Sequence, residues 1–153
     1  MMSQSICQRT IVASLCLLIL TSCHKATEST NRVCLGGRCF EVELARKPKD
    51  MIRGLQFRTS LGGNEGMLFI FPTEGVHEFW MKDTLIPLDM VWLDKNKRVI
   101  EVVRDRPPCL KEPCPVFGPR AYSKYVLEVN AGTMQPLGVE SGDQAVFHLK
   151  DGE

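Results

Sequence analysis

Apolar and polar residues alternate with a period of two along much of the chain, and this pattern predicts strands. RCFEVELA (38–45) sets Phe40, Val42 and Leu44 against Glu41 and Glu43, a half-buried strand with one face toward a core. MLFIF (67–71) is a continuous apolar run, short enough for a buried strand, and the chain turns over 72–75. From 76 to 82, His77, Phe79 and Met81 alternate with Val76, Glu78, Trp80 and Lys82. LDMVWLD (88–94) then runs into an Asp-Lys-Asn-Lys turn, with 99–104 returning as its hairpin partner. YVLEVN (125–130) and QAVFHL (144–149) complete the strands. One helical stretch interrupts them: Pro48 opens PKDMIRGLQF (48–57), where Met51, Ile52 and Leu55 share an apolar face and Gly54 weakens the last turn. Thr133 is placed to cap a single helical turn ended by Gly138. The pattern predicts a mostly β fold with minor α.

The first residues follow a different logic. Residues 1–10 are polar with one cation, Arg9, and IVASLCLLIL (11–20) is an apolar run too short to span a bilayer as a helix, as in a signal peptide. It ends in Leu20-Thr21-Ser22-Cys23, which resembles a bacterial lipobox, where the cysteine is acylated and becomes the first mature residue. The organisation expected is a lipoprotein signal peptide over 1–22, a flexible tether over 23–32 and one β-rich domain over 33–153. The partner implied is a membrane, reached through lipid on Cys23. Multiple acyl chains hold a protein there because each buried methylene adds about 0.8 kcal/mol. The residue after the cysteine is His24 and not Asp, so the expected location in a Gram-negative cell is the periplasmic face of the outer membrane.

Removing the signal simplifies the cysteines. Of seven, Cys7 and Cys16 leave with the signal and Cys23 carries lipid, so four remain for an oxidising compartment. Cys34 and Cys39 flank a Gly36-Gly37 hairpin turn, which sets them opposite each other at bridging distance. Cys109 and Cys114 have the same spacing inside the proline-rich RPPCLKEPCP. Two short bridges are expected. A redox pair or a metal site is the alternative, although the spacing differs from Cys-x-x-Cys and no histidine is near in sequence. No metal and no cofactor are expected.

The 44% hydrophobic content is ordinary once the N-terminal run is set apart, and 153 residues allow one domain with appendages. Nineteen basic against eighteen acidic residues, with no basic run among aromatics, argue against a nucleic-acid partner.

The chemistry concentrates in FWMKDTLIPLDMVWLD (79–94), where Lys82, Asp83 and Asp89 sit among tryptophans and methionines. Charge in apolar surroundings costs free energy unless it is paired or used. Asp89, at the start of a strand among large apolar residues, should cap backbone amides or pair with a cation, Lys82 or Arg53, and ligand binding stays open for it. Arg53 and Arg58 bracket the end of the helix and either converge on a site or stand solvated. His77 shares the apolar side of its strand and reads as structural.

RGLQFR (53–58), GMLFIF (66–71), the 79–94 stretch, PPCLKEPCP (107–115) and YVLEVNAGT (125–133), in this order, resemble the domain of unknown function 192 family. The resemblance implies a compact, mostly antiparallel β-barrel-like domain with one short helix near its start. It also places Arg53, Arg58 and the strand bearing Glu128 and Asn130 beside the central stretch, so the candidate binding set is Arg53, Arg58, Trp80, Lys82, Asp83, Asp89, Glu128 and Asn130. Gln56 stands where the family usually has Met, and Asp83 where it usually has Asn, which adds a negative charge. No reaction comes with the resemblance. Three functions are consistent with these residues: an envelope module binding a small ligand, glycan or protein; an envelope hydrolase or lyase using Asp89 or Asp83 with Lys82 or Arg53; and a structural part in envelope assembly.

Overall fold

The computed structural model describes residues 30–150. The expected signal peptide, Cys23 and all but the end of the tether lie outside the described residues, as do the last three positions. Nine strands and one helix follow in chain order: β1 (Arg32–Leu35), β2 (Arg38–Ala45), α1 (Pro48–Arg53), β3 (Glu65–Gly75), β4 (Phe79–Trp80), β5 (Leu88–Leu93), β6 (Val99–Arg106), β7 (Val116–Phe117), β8 (Ser123–Asn130) and β9 (Val146–His148). The fold is mostly β with one small helix, a curled half-barrel sheet forming one domain.

Seven strands make the main sheet in the order β6-β5-β8-β3-β2-β1-β9. β1 and β2 form the expected hairpin. Gly36 and Gly37 both take positive φ, 59° and 77°, as a tight two-residue turn requires. Cys34 faces Cys39 across it and the two are bridged. β2 and β3 pair in parallel, a departure from the antiparallel expectation. The intervening segment, with α1 in it, is long enough to carry the chain back to the end where β2 began. The other named strand pairs are antiparallel. The sheet curls until its outer strands nearly meet: Arg98 bridges Gln144, and the Val99 N–H donates to the Asp143 carbonyl at 2.8 Å.

Both faces of this sheet are covered. Leu68, Val91, Leu93, Leu127 and Val129 project into the concave side, where residues from β1, β2 and the 134–145 segment join them in one core. Met67, Phe69, Met90, Trp92 and Val126 project to the other side and pack with Leu55, Met81 and Ile86 in a second core. β5 is buried at every position, so its sequence reads as a solid apolar run broken only by Asp89.

Three local expectations are corrected. α1 ends at Arg53 and not at 57, because Gly54 adopts φ 47° and ψ −133° and Phe57 is also at positive φ. The 76–82 segment does not join the main sheet. Phe79–Trp80 pairs with Val116–Phe117 of the proline-rich excursion, and β3 itself continues to Gly75 through an irregularity after Ile70. Residues 131–138 form turns and no helix, and the Thr133 and Met134 amides are held by Asp89.

Candidate functional site

A cavity of about 300 Å³ opens on the second face of the sheet, between α1 with the residues after it and the 78–84 segment. Phe69, Phe71 and Phe79 form its wall, and Arg53, Glu78, Trp80 and Lys82 stand around it. Phe79 meets Phe69 edge-on at 4.8 Å between ring centres and Trp92 at 5.8 Å, which fixes the wall to the second core. Phe71 is stacked on His77, whose ring nitrogen lies 3.2 Å from the Thr73 carbonyl, so His77 is structural here.

Glu128 lies on the floor of the cavity. It is central in β8, side by side with Met67 of β3 and Met90 of β5. Only 4% of the residue is exposed, and its carboxyl group has no hydrogen-bond or ion-pair partner among the described residues. Burial alone pushes this carboxyl up to about 8, so at neutral pH it holds its proton. Gly54 covers it from above. A β-carbon at Gly54 would stand 3.2 Å from the Phe69 ring and 3.9 Å from Glu128 Oε2, and the positive φ there also favours glycine.

Four of the eight candidate residues are thus brought together: Arg53, Trp80, Lys82 and Glu128. Lys82 is paired with Glu112, which holds its ammonium group above the usual lysine range, and its Nζ lies 5.6 Å from the centre of the Trp80 ring. Glu112 is inside the ring closed by the Cys109–Cys114 disulfide, and that loop is aligned by the bridge between Lys82 and Cys109. Arg53 has no such partner among the described residues.

The other four serve the fold in other places. Arg58 grips Glu43 with two bonds of 2.6 Å, holding the Glu43 carboxyl below its usual range. Asn130 Nδ2 donates to the Leu61 and Gly62 carbonyls at 2.9 and 3.1 Å and anchors the glycine loop before β3. Asp83 takes φ 57°, and its carbonyl accepts from the Phe57 N–H at 2.8 Å, which ties the end of the RGLQFR segment to the 79–94 stretch. Asp89 is fully buried on the concave side, the face opposite the cavity. Its Oδ1 accepts from the Asp105 and Gly132 amides at 2.8 and 3.3 Å, and its Oδ2 from the Thr133 and Met134 amides at 2.9 and 2.8 Å. Of the roles left open for Asp89, capping backbone amides is the one these bonds describe, and neither Lys82 nor Arg53 is its partner.

Reading the sequence alone missed Glu112, Glu78 and the covering Gly54, and it left Glu128 undistinguished within its strand. The alternation in YVLEVN puts Glu128 on the side of Val126. The β-branched residue beside it was the available sign that this side is also covered. Among the described residues, no group of three or more His, Cys, Asp or Glu side chains is placed to hold a metal ion.

The curled sheet and its side pocket define a small β-domain with an open, aromatic-walled cavity over a buried acid. The chain belongs to the domain of unknown function 192 family, described as "Uncharacterized ACR", whose profile matches residues 31–147. A UPF0127 protein of Thermococcus gammatolerans is 30% identical over 107 residues, 67% of this chain. The chain spans 63% of that relative's length. A protein of unknown function from Novosphingobium aromaticivorans has a crystal structure that superposes with TM-score 0.69 at 32% identity, covering 76% of this chain and 82% of its own. A second solved structure, from Sinorhizobium meliloti, gives TM-score 0.68 at 33% identity over 76% of this chain and 91% of its own.

Proposed function

We propose that this protein is a lipid-anchored module of the cell envelope that binds a small ligand in the cavity over Glu128. The observation that carries the binding reading is Glu128: the residue is only 4% exposed, its carboxyl has no partner among the described residues, and it is set on the floor of an open cavity. An acid set in an apolar floor with no partner from its own chain costs free energy unless something else pairs with it. Such an arrangement is retained where something outside the chain completes it, and an apolar wall with a few placed polar groups is the usual form of a small-ligand site. Support for the envelope comes from the lipobox-like string ending in Cys23 and from two disulfide pairs, which persist in oxidising compartments.

A hydrolase or lyase built on Asp89 has little support, since its oxygens are engaged by four amides on the far side of the sheet. The acids that line the cavity are Glu128 and Glu78, and of the two Glu128 is the buried one. Two measurements test the proposal. Native mass spectrometry of the protein released from its own envelope should show a small-molecule adduct that is lost in Glu128→Ala and in Ile52→Trp, a change at an exposed residue lining the cavity. Identical spectra for all three would sink the binding reading. Cys23→Ser should move the protein from the membrane to the soluble fraction, and retention at the membrane would remove the anchor.

A further inference from the structure

We infer that the cavity takes an organic ammonium group on a compact apolar body, with Glu128 as its counter-ion and the Phe69, Phe71 and Phe79 rings as its wall. This rests on the binding reading above and adds the charge class of the ligand.

Once Glu128 has lost its proton, the charges around the cavity favour a cation. Two acids line it, Glu128 on the floor and Glu78 at the side, together with two cations, Arg53 and Lys82. Lys82 is already neutralised by Glu112, which leaves the acids facing Arg53, a guanidinium without a partner among the described residues. Arg53 is exposed, so water and salt screen it, whereas Glu128 is enclosed and an ion pair made there is strengthened by the low local dielectric. A carboxylate ligand would instead bring a second acid against Glu128. An uncharged ligand would gain a single hydrogen bond. Aromatic faces attract cations through the negative potential over the ring, and quaternary ammonium groups are held in this way between aromatic side chains.

The remaining charged groups around Glu128 do not compete for this role. On β3 and β5 its side-by-side neighbours are Met67 and Met90, which carry no charge. One strand further, Glu43 of β2 is occupied by Arg58. His77 lies behind Phe71, and Asp50 of α1 and Asp83 do not line the cavity.

Binding an ammonium group requires Glu128 to lose its proton. With the free carboxyl titrating at about 8, the affinity for a cation of permanent charge should rise about tenfold per pH unit from pH 6 and level off above pH 8.

Benzyltrimethylammonium, its neutral isostere neopentylbenzene and benzenesulfonate would be titrated into the full chain carrying isotope-labelled methionine methyls. Met51 lines the cavity, and Met67 and Met90 flank Glu128, so their resonances report occupancy. The inference expects benzyltrimethylammonium to shift these methyls with the stated pH slope. Glu128→Gln should weaken it at least tenfold at pH 8 and flatten the slope, while Arg53→Ala should leave it equal or tighter. If the neutral or the anionic probe shifts the same methyls as strongly, or the cation binds without a pH slope, the ammonium assignment is overturned and the cavity stands as a binding site. If no probe moves them, both fall. Should Glu128→Gln fail to fold, the pH slope of the unaltered protein decides alone.

Discussion

Asp89 and Glu128 are both buried acids on neighbouring strands, and their surroundings give them opposite chemistry. Asp89 faces the concave core and receives four amides, so it is a structural anion that ties β5 to the start of the 132–134 turn and to β6. Asp89→Asn turns one acceptor into a donor pointing at those N–H groups. The expected loss is about 2–4 kcal/mol, read as a lower urea midpoint at unchanged slope. Glu128 has burial and no amides. Because its folded-state value, about 8, lies above the ordinary 4.5, the folded protein binds the proton more tightly than the unfolded chain does. Stability from this group is therefore fully present below pH 4.5 and falls as pH rises toward 8, with a slope approaching about 1.4 kcal/mol per unit inside that window. Glu128→Gln should remove that slope. Urea titrations of both proteins at pH 5, 6, 7 and 8 measure it, and parallel curves would show that Glu128 is ionised or paired throughout. The alternation in LDMVWL already puts Asp89 on the side of Val91 and Leu93 and away from Leu88, Met90 and Trp92. The separation of the two acids was legible to that extent. What could not be read was that both sides are buried, because it depends on which distant segments cover the sheet.

At the level of elements, the short helix and the loop after it act as the lid of the cavity. α1 has no buried residue of its own, and its C-terminal Gly54 turns the chain so that Leu55 enters the second core while Arg53 stays at the cavity. Gly54→Ala has to hold a side chain at φ 47° and push against the Phe69 ring. Backbone strain of this kind costs about 1–3 kcal/mol. Thermal unfolding should show that loss, and the methionine methyl of Met51 should shift with it. An unchanged melting curve would mean that the turn relaxes without cost. The period-two strands and both cysteine bridges were legible because local spacing sets them. The parallel β2–β3 pair was not, since register between strands separated by a crossover comes from the global packing. The early end of α1 was half visible in Gly54, but the positive φ at Phe57 comes from its N–H reaching the Asp83 carbonyl, a contact between distant segments.

For the whole molecule, the cavity is assembled from parts of very different stability. Its floor is β8, flanked by β3 and β5 and buried on both faces, so its amides can open only when the domain unfolds. Its rim is α1 and the 78–84 segment, and the 107–117 excursion buttresses that segment from outside the cavity through the two-residue β4–β7 pairing, the Lys82–Cys109 bridge and the Lys82–Glu112 ion pair. Exposed ion pairs contribute little, so the disulfide ring is what keeps Glu112 near Lys82. Hydrogen exchange should therefore separate the two parts. Amides of β5 and β8 are expected at the slow, global limit, and those of α1 and 107–117 should exchange orders of magnitude faster through local opening. A thiol reductant should accelerate exchange in 107–117 and at Lys82, where the released Glu112 no longer covers the cation, and leave β8 unchanged. A cavity ligand should do the reverse, slowing α1 and β4 while β8 stays at its limit. If reduction instead speeds exchange across β5 and β8, the excursion is part of the global folding unit. The cavity would then be a rigid feature of the sheet and not a firm floor under a movable rim.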